Sequence, residues 1–314
     1  MRDLLGRQID YLRLSVTDLC NLRCTYCMPE AGVHKLAHRD ILPLEQIEQI
    51  VKAAAQCGVR KVRITGGEPL VRRGIIDLCR RVSDVKGIQE VCMTTNGILL
   101  QKYAKELREA GVQRLNISLD TLRPDRYASL TRLGKLEDAL AGMETAREAG
   151  FGPLKINVVL MGGINDDEIG DLIALTRDRE DEVRFIELMP IGECARWDQA
   201  RFLSCDAVLK AFPQLEAVDT AGVARRYRMP GYRGTVGLIR PMSDHFCPSC
   251  NRIRVTADGT LKPCLHSPEE ISLSGLGPEA LVRTIEAAIR AKPARHHLEA
   301  GPSGSLRAMN AIGG

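Results

Sequence analysis

Cys20-Asn21-Leu22-Arg23-Cys24-Thr25-Tyr26-Cys27 puts three thiols into eight residues, separated by three positions and then by two. A single loop can wrap such a set around one metal centre. Thiolates are soft ligands that select zinc, copper(I) or iron-sulfur clusters. Three of them complete neither a tetrahedral zinc site nor all four corners of a four-iron cluster. One iron stays open, and an open position points to chemistry, because structural sites fill their shells. On its own the stretch also reads as a zinc knuckle or an unliganded loop.

The flanks narrow the reading. Leu12 to Asp18 precede the thiols, Met28-Pro29 follow them, and Thr65-Gly66-Gly67-Glu68-Pro69-Leu70 lies downstream. Together these segments resemble the radical S-adenosylmethionine (SAM) superfamily. The resemblance implies that SAM occupies the open iron through its amino and carboxylate groups.

Composition agrees with a soluble globular protein. Of 314 residues, 44% are hydrophobic and 27% charged, the balance of a globular chain long enough for one or two domains. No long apolar run resembles a membrane span. The start, with Arg2, Asp3 and Arg7 close together, lacks the apolar core of a signal peptide. A cytoplasmic location is expected, where thiols stay reduced, so eleven cysteines speak for metal or redox work rather than disulfides. Cys57, Cys79, Cys92, Cys194 and Cys205 are scattered and read as small buried apolar residues. A net charge of +4 suits an anionic ligand held by a few arginines better than a nucleic-acid surface.

From Tyr11 to about Met189, strand and helix patterns alternate with a period of roughly 30 residues, the mark of stacked βα units on a parallel sheet. Strands are expected at Tyr11 to Val16, Lys61 to Thr65, Glu90 to Thr94, Arg114 to Leu119, Lys155 to Leu160 and Val183 to Leu188. Helices are expected at Leu44 to Gln56, Gly74 to Ser83, Gln101 to Ala110, Leu136 to Ala149 and Asp167 to Arg177. Gly58, Gly111 and Gly150 stand where left-handed caps belong. Six units fall short of the eight of a closed barrel, and the resemblance implies an incomplete (βα)6 TIM-like barrel. Ligands of parallel α/β sheets sit at the carboxyl ends of the strands. The thiol loop, Gly66 to Pro69, Thr94 to Gly97 and Ser118 to Asp120 follow the first four strands and should meet at one mouth. After Pro190 the period fades, which divides the chain into a partial barrel over 1–190 and a second region over 191–314.

That second region holds Cys247-Pro248-Ser249-Cys250 and Cys264. On spacing alone, a zinc ribbon completed by His245 or His266 is as good a reading as a cluster. The stretch from Phe246 to Leu265 closely resembles the corresponding segment of the GTP 3′,8-cyclases of molybdenum-cofactor synthesis, and the ending Arg307-Ala308-Met309-Asn310-Ala311-Ile312-Gly313-Gly314 matches theirs. The resemblance runs from Gly6-Arg7 to Gly314. One departure is Gly162, where that family often carries a basic residue after the fifth strand.

The resemblance implies two 4Fe-4S clusters, one on Cys20, Cys24 and Cys27 and one on Cys247, Cys250 and Cys264, with the open iron of the second facing substrate. It assigns SAM to Tyr26, Gly67, Thr94, Asn96, Ser118 and Met189. GTP, with about four negative charges, falls to Arg13, Lys61, Arg63, Lys155, Arg184, Arg252 and Arg254; arginine forks suit phosphates. Charged residues are rarely buried unpaired, so an inward basic set on strands implies an anion, or else internal carboxylates such as Glu187. Catalytic roles fall to Arg252, Arg254 and the tail glycines Gly313 and Gly314, which fit a channel too narrow for side chains. The family implies a flavodoxin- or ferredoxin-like electron donor, a second molybdopterin-pathway enzyme that takes the product, and no nucleic-acid or membrane partner, in a monomer or homodimer. Two other readings are a radical SAM enzyme acting on a peptide with an auxiliary cluster, and a non-catalytic metal-binding module.

Overall fold

The structure, a computed structural model, describes residues 1–33, 37, 40–219, 222–296, 303–305 and 307–313. Six strands, β1 (Tyr11–Ser15), β2 (Lys61–Thr65), β3 (Glu90–Thr95), β4 (Arg114–Ser118), β5 (Lys155–Leu160) and β6 (Glu182–Glu187), pair in parallel in sequence order. Between them lie α1 (Leu44–Gln56), α2 (Ile75–Ser83), α3 (Leu100–Glu109), α4 (Pro124–Thr131), α5 (Leu136–Glu148) and α6 (Ile169–Ala174). Each expected strand and helix appears, with ends moved by at most one residue except at the last helix. There the expected run from Asp167 to Arg177 is a 3-10 turn, Asp166–Glu168, followed by the short α6. The chain also forms α4, which the sequence reading missed; Pro124 opens it at the first turn. Gly58, Gly111 and Gly150 close α1, α3 and α5 at φ of +90°, +87° and +84°, the left-handed caps expected of them.

The region after Pro190 does not stand apart from the sheet. Beyond α7 (Asp206–Ala211), β7 (Glu216–Asp219), β8 (Ala224–Arg228) and β9 (Thr235–Ile239) continue it past β6, and β10 (Arg252–Val255), β11 (Thr260–Lys262) and β12 (Ile271–Ser272) continue it past β1. The order is β12-β11-β10-β1-β2-β3-β4-β5-β6-β9-β8-β7, so the barrel remains open. α8 (Pro278–Arg290) packs on α1, and α9 (Met309–Ile312) is followed by Gly313, the last described residue.

Strand alternation sorts the two faces. Leu12, Leu14, Val62, Ile64, Val91 and Met93 point to the helices and are buried in one core. Their neighbours Tyr11, Arg13, Lys61 and Arg63 turn to the concave side, where they line a cavity of about 980 Å³.

Candidate active site

All six grouped cysteines line this one cavity. Cys20, Cys24 and Cys27 follow β1 and lie at the carboxyl ends of the strands. Cys247 and Cys250 precede β10, which runs parallel to β1 with Arg252 opposite Tyr11 and Arg254 opposite Arg13. The second group therefore sits at the amino ends. The two thiol sets face each other along the barrel axis rather than sharing a mouth.

The first set is placed by backbone. Gly67 N–H donates to Thr17 O and Glu68 N–H to Leu19 O, both at 2.8 Å. A Cβ on Gly67 would stand 2.4 Å from Leu19 O, and one on Gly66 2.6 Å from Thr17 O. These glycines are needed for the thiol loop to lie against them, a packing reason beyond the open approach to ligand expected from sequence. Asn96 ties the loop from a third side: its Nδ2 donates to Asn21 Oδ1 at 2.7 Å and reaches Cys20 Sγ at 4.0 Å. Glu68, buried, accepts from Leu70 N–H, the Thr95 hydroxyl and Asn96 N–H. The Tyr26 hydroxyl donates to Asp120 at 2.7 Å. Burial pushes the Cys20 thiol up to about 11, Cys27 to about 12, and Cys24 well above the ordinary thiol range; nearby Glu68 or Asp120 adds to this. Burial likewise lifts Glu68 to about 7 and Asp120 to about 6. A metal that takes these thiols must displace their protons, as iron and zinc do. Ser118, Thr94 and Met189 line the same end.

At the opposite end the environment is cationic. Arg254, Arg13 and Arg63 stand side by side on β10, β1 and β2. Lys61 pairs with Glu90 at 2.6 Å, and Glu182 receives Arg184 at 2.8 and 3.0 Å and Lys155 at 3.4 Å. The internal carboxylates are thus Glu90 and Glu182; Glu187 instead accepts from Cys205 N–H, Met242 N–H and Ser243. The three neighbouring arginines are held differently. Arg63 Nε donates to the Tyr11 hydroxyl, and Arg13 and Arg254 donate to Gly313 O at 3.0 and 3.5 Å. Arg252 lies over the rings of Tyr11 and Phe246, and its Nε has no hydrogen-bond partner among the described residues. Burial and the adjacent guanidiniums depress Arg13 well below its usual range and Arg254 to about 10. Like charges held together away from water call for an anion. Tyr11, central to this group, was missed from sequence; it opens β1, and only strand register sets it between Lys61 and Arg252.

Burial raises the Cys250 thiol too, but Lys292, Arg252 and Arg254 outweigh it and hold the thiol below its usual value. His245 Nδ1 lies 3.1 Å from His296 Nε2 and 2.8 Å from Pro241 O, while His266 Nδ1 lies 3.2 Å from Ser303 Oγ. Among the described residues no three His, Cys, Asp or Glu side chains converge as a single-ion site. The thiol sets suit clusters, whose cysteines each take a different iron. Gly313 is close-packed: a Cβ there would meet Thr65 Cγ2 at 2.7 Å. Gly314 lies outside the described residues. Gly162 does not face the cavity; a Cβ there would stand 2.2 Å from Ala200 O, so a basic residue at this point has no room. Cys57, Cys79, Cys92, Cys194 and Cys205 are buried as expected.

An open parallel barrel with a three-thiol loop after its first strand and a glycine-rich turn after its second defines a radical SAM protein. Residues 14–176 match the radical SAM superfamily, and 181–298 match the molybdenum cofactor synthesis C-terminal family. The GTP 3′,8-cyclase of Alkaliphilus metalliredigens is 52% identical over the full length of both chains, and that of Moorella thermoacetica 46% identical, again over both in full. The SAM-bound structure of Streptococcus suis SuiB superposes at a TM-score of 0.64 over 97% of this chain and 77% of that one, with 14% identity, a likeness of fold. The chain belongs to the GTP 3′,8-cyclase family of radical SAM enzymes and, as one of that superfamily, uses a 4Fe-4S cluster and SAM. Among the described residues no helix is long and apolar enough to cross a membrane.

Proposed function

We propose that this chain joins C3′ of GTP to C8 of its own guanine, with one 4Fe-4S cluster on Cys20, Cys24 and Cys27 and a second on Cys247, Cys250 and Cys264. The chemistry that the first cluster and SAM supply when bound is a 5′-deoxyadenosyl radical, which removes the C3′ hydrogen; cyclisation is completed by one electron and one proton. The residues do the rest. The loop between Thr17 and Cys27 is pinned by Gly66, Gly67 and Asn96, and Thr94, Ser118, Tyr26 and Met189 border the SAM end. Arg13, Arg63 and Arg254, with Lys61, Lys155, Arg184 and Arg252, bind the triphosphate and turn the ribose towards SAM. Gly313 O orients Arg13 and Arg254.

The observation that carries this reading is the row of three adjacent arginines, Arg254, Arg13 and Arg63, turned into one cavity that both thiol sets line. Residues 1–190 would supply the SAM half and 191–314 the second cluster. A flavodoxin- or ferredoxin-like donor and a second enzyme that takes the cyclic nucleotide complete the scheme.

The test is anaerobic incubation with SAM, GTP and a strong reductant. 5′-Deoxyadenosine and a cyclised guanine nucleotide are expected in step. Cys24→Ala should abolish both; Cys264→Ala should remove about half of roughly eight irons per chain and spare the first cluster. Loss of iron from both sites in Cys264→Ala would refute two independent centres.

A further inference from the structure

Lys292 is the residue that the reaction scheme leaves unused and the structure makes conspicuous. It lies just beyond α8, lines the cavity, and is only 6% exposed. Its Nζ donates to Arg252 O at 2.9 Å and Pro263 O at 2.6 Å. Both acceptors are neutral carbonyls, and no carboxylate among the described residues comes within ion-pairing distance. Lys262, equally buried nearby, contrasts with it, because Glu270 lies 3.1 Å from its ammonium. A buried ammonium with no counter-ion is costly, so the fold must place an anion near it.

The two carbonyls show which anion. Arg252 lies two residues after Cys250, and Pro263 immediately precedes Cys264. One ammonium therefore fastens together the two segments that carry these thiols. The backbone of Lys292 is itself clamped: the buried Arg7 donates to the carbonyls of Lys292, Pro293, Ala294 and Cys247 at 2.8 to 3.1 Å, and is held by Asp3 at 2.6 Å. At the first thiol set the loop carbonyls are held instead by Arg23 and Arg132, which are only half-buried, and the buried charged groups beside it include the carboxyls of Glu68 and Asp120.

We propose that Lys292 is a positioning residue for the second cluster, holding its two cysteine segments in register and supplying a fixed positive charge that makes this centre easier to reduce. The inference rests on the reading of Cys247, Cys250 and Cys264 as a cluster site. A four-iron core held by three thiolates is anionic overall and gains a further negative charge on reduction, so a nearby cation favours the reduced form; net charge is among the terms that set such potentials. The ammonium is the donor and the charge at once, and an arginine keeps both.

The test compares the full-length wild type with Lys292→Met and Lys292→Arg after anaerobic cluster assembly. Iron and sulfide per chain are measured, and the midpoint potential of each centre is followed by electron paramagnetic resonance. Lys292→Met is expected to shift the second centre to a more negative potential and to lose iron from it on dilution or chelation, while the first centre keeps its potential. Lys292→Arg should restore the potential. If Lys292→Met retains too little iron to titrate, Lys292→Gln, which keeps a donor without the charge, is read instead and should show the same negative shift. A wild-type potential in both neutral variants, or an arginine variant that behaves like methionine, overturns the proposal. A wild type that binds only one four-iron centre overturns it together with the cluster reading, which separates the two failures.

Discussion

Replacing Gly67 by alanine adds one methyl group at the point where the thiol loop crosses the end of β2. The new Cβ would lie 2.4 Å from Leu19 O, 2.7 Å from Leu19 C and 2.8 Å from Asp18 O, all backbone atoms. Val62 and Ile64 of β2 are fully buried, and Glu68 beyond is locked by three hydrogen bonds, so the strand cannot retreat. What can move is Leu19, and with it Cys20, at the cost of the 2.8 Å bonds from Gly67 and Glu68 to the loop. Overpacking of this kind costs about 1–3 kcal/mol, which displaces the loop population by roughly five- to a hundredfold. Global stability of about 5–15 kcal/mol absorbs that loss, so the variant should fold and keep the second centre. The assay is reductant-driven release of 5′-deoxyadenosine from SAM, with iron counted per chain. We expect release to fall at least fivefold while the irons on Cys247, Cys250 and Cys264 stay. Wild-type release would refute the claim that this glycine is required by loop packing.

Other outcomes follow from the same geometry. Arg13→Leu removes the middle arginine of the row and leaves Gly313 O to Arg254 alone; KM for GTP should rise about tenfold or more, the scale of one charge-assisted contact, while SAM cleavage without GTP is unchanged. Deletion of Gly313 and Gly314 takes away the carbonyl that both arginines share, so cyclised product should fall with SAM binding intact; unchanged turnover would make the tail ornamental. Glu68, lifted by burial to about 7, and Asp120, to about 6, bind more protons folded than unfolded across the acid range. Their contribution to stability is therefore greatest below about pH 4 and declines as pH rises towards 7, on the order of 3 kcal/mol for Glu68. Urea midpoints of the metal-free chain should record this slope, and Glu68→Gln should flatten it.

The barrel was legible because apolar residues recur at strand and helix periods and because glycines mark three helix ends. The cysteines and inward arginines were legible for the same reason, since alternation on β1 and β2 fixes which face each side chain takes. What escaped was set by pairing between distant strands. The sequence after Pro190 loses its period because its strands are short and extend the two ends of an existing sheet, pairing in part antiparallel, rather than forming new βα units. α4 escaped because only eight residues form it, and its apolar face is narrow. Glu90 and Glu182 look like ordinary strand-start carboxylates until register brings them opposite Lys61 and Lys155. Tyr11 and Lys292 carry no motif at all; their roles exist only where β10 pairs with β1 and where the tail of α8 passes beneath Pro263.

The cavity is polarised along its length, and under the proposed function that polarity would orient both ligands. Buried carboxyls, Glu68 and Asp120, lie at the end where the sulfonium and ammonium of SAM are wanted, whereas Arg254, Arg13, Arg63 and Lys292 lie at the end where a triphosphate and an anionic cluster are wanted. A triphosphate turned round would take its charge away from three guanidiniums and bring it against two carboxyls, an unfavourable exchange in a dry site. Glu90 and Glu182 sharpen the choice, because they pair with Lys61, Lys155 and Arg184 and leave the adjacent arginines of β10, β1 and β2 to meet the phosphates. On the proposed reading, with phosphates at the arginines and the amino acid of SAM at the first thiol set, the ribose of the nucleotide would be the part left between them, facing the adenosyl carbon. Selection of C3′ would then be decided by distance along the barrel rather than by a group that recognises that carbon.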